Sequence, residues 1–207
     1  MLRLESNEPR VLDFDCECRP IAWFGGDQLT KQPTAIAWRW VNLDSADTEV
    51  AYIGASDRSS LVIEEEIMML EEFRVAYDEA DVVTGHYIRG FDLPLLQGAL
   101  MRLGLPLLGP KRAQDTKSDL VAAQGISKSQ ENLGAMYELE HPKVGMNTTL
   151  WGLGNMLIPE GIEATITRVL GDVDQHVELR REMLRLGHLG PPRLYDGHDG
   201  RVPEYTP

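Results

Sequence analysis

The stretch VLDFDCEC, residues 11–18, decides the fold. Side chains of a strand alternate between its two faces. A period-two reading therefore puts Leu12, Phe14, Cys16 and Cys18 on one side, and Val11, Asp13, Asp15 and Glu17 on the other. The first set can enter a core. The second aligns three carboxylates, which repel one another and resist desolvation. Two readings account for such a row: a divalent cation held by oxygen ligands, or a polar face left in water on an edge strand.

Downstream, a polar Gly/Pro-containing connection spans Arg19 to Pro33. TAIAWRWVN (34–42) and TEVAYIGA (48–55) then read as strands around the turn-like LDSAD (43–47). Ile36, Trp38 and Trp40 share one face and read as core, with base stacking as the alternative. Residues 60–79 form an amphipathic helix with Ser60 as its N-cap. ADVVTG (80–85) is a short apolar strand of the buried, parallel type. A helix opens at Asp92 as cap, tolerates Pro94 in its first turn, and ends at Gly104 and Pro106.

Beyond it, KRAQDTKSDL ends a strand at Ala113 or Gln114, and Asp115 opens a helix. Residues 127–140 read as helix, and the last long helix runs from about Glu163 to Leu186 with a weak point at Gly171. On it Val173, Val177 and Leu184 share an apolar face, while Asp172 and His176 share another. The order predicts an α/β domain: a mixed central sheet, with an antiparallel three-strand meander plus parallel strands, flanked by helices.

The chain has 207 residues, enough for one full core, with 43% apolar and 26% charged residues. Its net charge of -13 argues against binding nucleic acid through a basic patch, but not through bound metal. Cys16 and Cys18, the two cysteines, close no useful loop and make an incomplete zinc site. No apolar run is long enough to span a bilayer and the N-terminus lacks a signal core, so a cytoplasmic chain without a membrane partner is expected.

The acids of interest are Asp15 and Glu17 on the strand, Asp92 after Gly90-Phe91, and Asp172, Asp174 and Glu178 on the last helix. In this arrangement the sequence resembles the DnaQ-like, DEDD-type 3′–5′ exonucleases, a family with a ribonuclease H-like fold. Phe14-Asp15-Cys16-Glu17 matches the family's first motif, Gly85 to Pro94 (GHYIRGFDLP) its second, and Asp172-Val173 its third. Gln114-Asp115-Thr116, Glu131-Asn132-Leu133 and Lys143-Val144-Gly145-Met146 resemble its connecting segments.

The resemblance implies a ribonuclease H-like 3′–5′ exonuclease domain over residues 1–189, with 190–207 as an irregular C-terminal tail. It implies Asp15, Glu17, Asp92 and Asp172 as catalytic ligands of two Mg²⁺ or Mn²⁺ ions, in a two-metal hydrolysis. The substrate would be a 3′ end of single-stranded or frayed DNA. With no polymerase on the chain, a polymerase or other replication partner is implied for proofreading. Cys18, Tyr87 and Phe91 are the expected walls around the terminal nucleotide, and Lys143 the expected phosphate contact.

The family places its general base five residues (His) or four residues (Tyr) before the last Asp. Here those positions hold Thr167 and Arg168, and Tyr87 replaces the usual Asn of the second motif. His176 is the remaining candidate base, against a packing role. His86 is expected to order its loop. Asp13, outside the motif, is expected beside the ligands or exposed. The alternative is a catalytically weakened module that binds nucleic acid or a replication partner.

Overall fold

The computed structural model describes residues 8–22, 29–41, 47–55 and 61–197. At the centre lies a six-stranded sheet in the order β3-β2-β1-β4-β5-β6. Its strands are β1 Val11–Ala22, β2 Leu29–Trp40, β3 Glu49–Tyr52, β4 Val82–Gly85, β5 Lys111–Asp115 and β6 Arg193–Tyr195. The helices are α1 Val62–Glu79, α2 Asp92–Leu103, α3 Gln130–Met136, α4 Thr148–Asn155 and α5 Pro159–Arg185. β1, β2 and β3 form the expected antiparallel meander, while β4 and β5 run parallel to β1. This is the predicted mixed α/β sheet of ribonuclease H-like type, closed at its far edge by β6 antiparallel to β5.

The two faces of β1 carry different loads. Leu12 and Phe14 are fully buried under α1, whose Met69, Phe73 and Tyr77 come from one apolar stripe. Phe73 lies 4.9 Å from Phe14 and 5.9 Å from Trp38, centroid to centroid. Trp38 is core rather than a stacking platform, at 2% exposure. The opposite face is covered by α5, whose Val169 and Val173 sit on Ala35 and Ala37. Small residues at those two positions let the helix approach closely. β1 is thus a central strand with its acidic face under a helix, and the edge-strand reading of that face is excluded.

Several local expectations are revised. The strands continue through most of the expected polar connection: β1 reaches Ala22 and β2 starts at Leu29. Pro33 falls where the pairing slips between Glu17 and Cys18, so its missing N–H costs little in an already interrupted ladder. Asp115 opens a turn, not a helix. The helix expected over 127–140 is only Gln130–Met136, capped by Ser129, whose hydroxyl accepts from Asn132 N. Residues 193–195 of the expected irregular tail pair as β6, a strand too short for periodicity to reveal. Leu184 is 42% exposed, off the apolar stripe. Ser60 and most of the turn at 43–47 lie outside the described residues. Among the described residues no helix is long and apolar enough to cross a membrane.

α4 and α5 cross at a backbone-to-backbone contact. A Cβ on Gly161 would stand 2.1 Å from Gly154 N and 2.3 Å from the Leu153 carbonyl carbon. Gly161→Ala gains about 1 kcal/mol of helix propensity. It forces apart two backbones that cannot repack, at roughly 3 kcal/mol. The contact wins, and thermal unfolding should shift down by about 4–8 °C. An unchanged midpoint would mean that the two helices separate freely.

Candidate metal centre

β1 and α5 face each other in opposite directions, and their periods match. Two residues along a strand advance about 6.6 Å, and four along a helix about 6.0 Å. Positions 13, 15 and 17 therefore meet 176, 172 and 168 as three successive rungs. In the first, His176 Nδ1 lies 2.6 Å from Asp13 Oδ2. In the third, Arg168 Nε donates to Glu17 Oε1 at 2.6 Å. The middle rung sets carboxylate against carboxylate: Asp15, Asp172 and neighbouring Glu17 bring one oxygen each within 4.8 Å of one another. Two hydrogen-bonded pairs flank one carboxylate–carboxylate pair.

Asp92 arrives from the start of α2. It is the first helical residue and caps nothing, since Phe91 holds the cap position. Its Oδ1 instead accepts from Cys16 N across the strand at 3.2 Å. Burial pushes the Asp92 carboxyl up to about 7, against the opposing effect of backbone N–H donors. Asp15 is raised well above the ordinary carboxylate range, first by burial, then by the charges of Asp92, Asp172 and Glu17. Glu17 and Asp172 are also raised by burial, with Arg168 and Lys143 pulling the other way.

Two cations are built into the centre. Arg168 is held by Glu17, by the Val144 carbonyl at 2.8 Å, and by the Trp151 ring at 5.3 Å. Its second terminal nitrogen reaches Asp172 Oδ2 at 3.5 Å. Lys143, expected on a phosphate, is paired with the same Asp172 oxygen at 3.3 Å. Gly171 explains this placement. A Cβ there would meet Val144 Cγ2 at 2.4 Å, so the 143–144 segment rests directly on α5. The helix runs unbroken through Gly171, which is a contact point and not a break. Asp172 Oδ1 is buried and has no hydrogen-bond partner among the described residues. No described residue donates to the Asp15 carboxylate.

His176 is not placed to act as a base. It is 2% exposed, with Nδ1 on Asp13 and Nε2 2.9 Å from Thr116 Oγ1. Asp13, expected near the ligands or exposed, is fully buried. Its carboxyl is raised by burial, a rise moderated by His176. His86 Nδ1 meets the same Thr116 hydroxyl at 2.9 Å, and burial pushes His86 down to about 3, so it stays neutral. Thr116 thus ties the second-motif loop to α5.

Asp115 organises that loop. It accepts from Tyr87 N, Lys117 N and Ser118 N, each at 3.0 Å, and from Arg89 N at 3.2 Å. Tyr87 has a φ of 70°, the left-handed region in which Asn is far more at home. The ring covers Gly90, where a Cβ would fall 2.4 Å from ring carbons, and Lys117 Nζ sits 3.8 Å from its centroid.

The expected walls divide. Phe91 lines a groove of about 350 Å³ with Thr30, Lys31 and Leu95, and Lys31 Nζ lies 4.5 Å over its ring. Cys18 is half-buried, within reach of the charges of Lys31, Glu17 and Asp92. Tyr87 faces an adjoining groove of about 700 Å³ with Arg89, Met101 and Tyr195. Asp174 lies off the centre, bound by Thr48 and Arg39, and Glu178 accepts from Glu140 N and His141 N. Sequence reasoning missed the Asp13–His176 pair and the Glu17–Arg168 anchor. The signal was present: an i, i+2, i+4 series of acids opposed in reverse by an i, i+4, i+8 series of Arg, Asp and His.

The raised carboxyls make a prediction with a definite sign. A carboxyl whose folded pKa exceeds its unfolded value binds more protons when folded, so stability is lost as pH rises through the folded value. For Asp92 the window runs from the ordinary 3.8 to about 7. One such group contributes a slope of at most about 1.4 kcal/mol per pH unit. In chelator, thermal stability should fall between pH 5 and 7. With Mn²⁺, which binds the ionised form, the fall should flatten or reverse. Stability that rises through this window in chelator would contradict the assignment.

Comparison with protein-family models and with curated proteins matches nothing. Among solved structures, the chain is similar to the family B DNA polymerase from the hyperthermophilic archaeon Pyrobaculum calidifontis, with a TM-score of 0.56 and 20% identity. The match covers 86% of this chain and 25% of the polymerase, so the chain spans about a quarter of that protein's length. At this identity the likeness is one of fold.

Proposed function

We propose that the chain is a divalent-metal-dependent nuclease that removes nucleotides from the 3′ end of single-stranded or frayed DNA. The observation that carries this reading is the middle rung, where Asp15 and Asp172 face each other with Glu17 and Asp92 alongside. A like-charge pair between two satisfied pairs is a local cost that folding alone does not explain. The donor set fits a hard cation: all ligands are carboxylate oxygens, and Asp172 Oδ1 is buried without a partner.

Mg²⁺ or Mn²⁺ would be held by Asp15, Glu17 and Asp172, with Asp92 beside them. When bound, such an ion polarises a phosphoryl oxygen and lowers the pKa of water. The chain's own residues do the rest. Arg168 and Lys143 hold Glu17 and Asp172 in place and set positive charge where a phosphate must approach. Phe91 and Lys31 offer an aromatic face and a cation to a terminal nucleotide. Asp115 and Thr116 fix the loop that carries Asp92. The fold shared with part of a DNA polymerase favours DNA over RNA, and a polymerase as working partner.

At the positions of the family's base stand Thr167, bonded to its own helix, and Arg168. Without such a base, turnover should be slower by about 10²–10⁴-fold than with one in place. Arg168 also supports a second reading, in which the module binds DNA and metal without cutting. A labelled oligonucleotide incubated with the full chain and Mn²⁺ or Mg²⁺ separates the two. Stepwise mononucleotide release from the 3′ end is the expected result. Retention of DNA with metal uptake and no product would favour the binding module, and internal cuts would overturn the exonuclease.

A further inference from the structure

We infer that this centre takes up one divalent ion, not two, because Arg168 already supplies the positive charge that a second ion would bring. The inference rests on the metal-site reading above and adds its stoichiometry. Glu17 Oε1 is engaged by Arg168 at 2.6 Å, and Asp172 Oδ2 by Arg168 at 3.5 Å and Lys143 at 3.3 Å. The Glu17–Arg168 pair is half-buried and neutral in sum.

With the carboxyls ionised, as metal binding requires, what remains is Asp15, Asp92 and Asp172 against Lys143, two negative charges in excess. One divalent ion cancels them. The acceptors left open, the Asp15 carboxylate and the buried Asp172 Oδ1, are those that one ion would satisfy. A second ion would have to share Glu17 and Asp172 with a guanidinium that has no room to retreat. Arg168 is fastened on its far side to the Val144 carbonyl at 2.8 Å and backed by the Trp151 ring. Val144 is itself seated against Gly171. A cation so fixed repels an incoming ion in a half-buried site, where charges are poorly screened.

Mn²⁺ binding to the full chain, read by calorimetry and by the electron paramagnetic resonance of bound ions, tests this without reference to activity. The wild-type chain should bind one Mn²⁺ with no spin coupling. Arg168→Met should bind two, the second at least about tenfold more tightly than any second ion in wild type. Arg168→Lys, which keeps the charge, should stay at one. Two coupled ions in wild type would overturn the inference while leaving the metal site intact. One ion in a folded Arg168→Met chain would show that Arg168 is not what limits the count, and would overturn it equally. No Mn²⁺ in either chain would remove the metal-site reading itself.

Discussion

Asp15→Asn should cut metal-dependent release of nucleotides from a 3′ end by at least about 10³-fold, a loss of about 4 kcal/mol in transition-state stabilisation. The same substitution should make the metal-free chain harder to unfold. Both effects come from one residue's position. Asp15 stands on the middle rung against Asp172, with Asp92 and Glu17 close enough to raise its carboxyl. In the proposed metal site it is the carboxylate that feels the charge of each of the other three acids. As an unpaired carboxylate it is a source of repulsion that Asn removes without changing shape.

If Asp15 serves the proposed chemistry, its cost to the fold is what competition between function and stability leads one to expect. Oligonucleotide digestion and chemical unfolding in chelator measure the two sides. If Asp15→Asn loses both activity and stability, the carboxylate is a structural anchor. If it loses neither, the centre is elsewhere.

His176→Leu should cost roughly 3–5 kcal/mol of stability, because it leaves a buried acid without its partner. Asp13 is fully buried, and among the described residues its Oδ1 has no hydrogen-bond donor, so none of them stands ready to replace the imidazole. Pairing the change with Asp13→Leu, which makes both partners apolar, should recover most of the loss, since the pair is removed together. Turnover per folded molecule should stay within about tenfold of wild type, well short of what losing a general base costs. A loss beyond about 10²-fold with the fold intact would return His176 to the chemistry. Denaturant midpoints and single-turnover assays on the three variants decide it.

Much of this centre was legible in the chain. The acids at 15, 17, 92 and 172 could be picked out by order and context, and three of them do converge. Asp92 lies beside them through its bond to Cys16. What escaped was pairing. Asp13 and His176 each look unremarkable alone, and Arg168 looks like a missing base. Only the match between a strand's two-residue step and a helix's four-residue step makes them partners.

The sequence by itself determined the sheet, the covering helices and the candidate acids, because burial patterns with periods of two and 3.6 are written in local order. The tertiary structure alone decided that β1 lies in mid-sheet, that Arg168 closes on Glu17, that Lys143 lands on Asp172, and that His176 is engaged by Asp13 and Thr116. Those are contacts between residues more than twenty positions apart. Their distances are set by how closely α5 can approach Ala35 and Ala37 and how far Gly171 lets the 143–144 segment descend, quantities that no local pattern encodes.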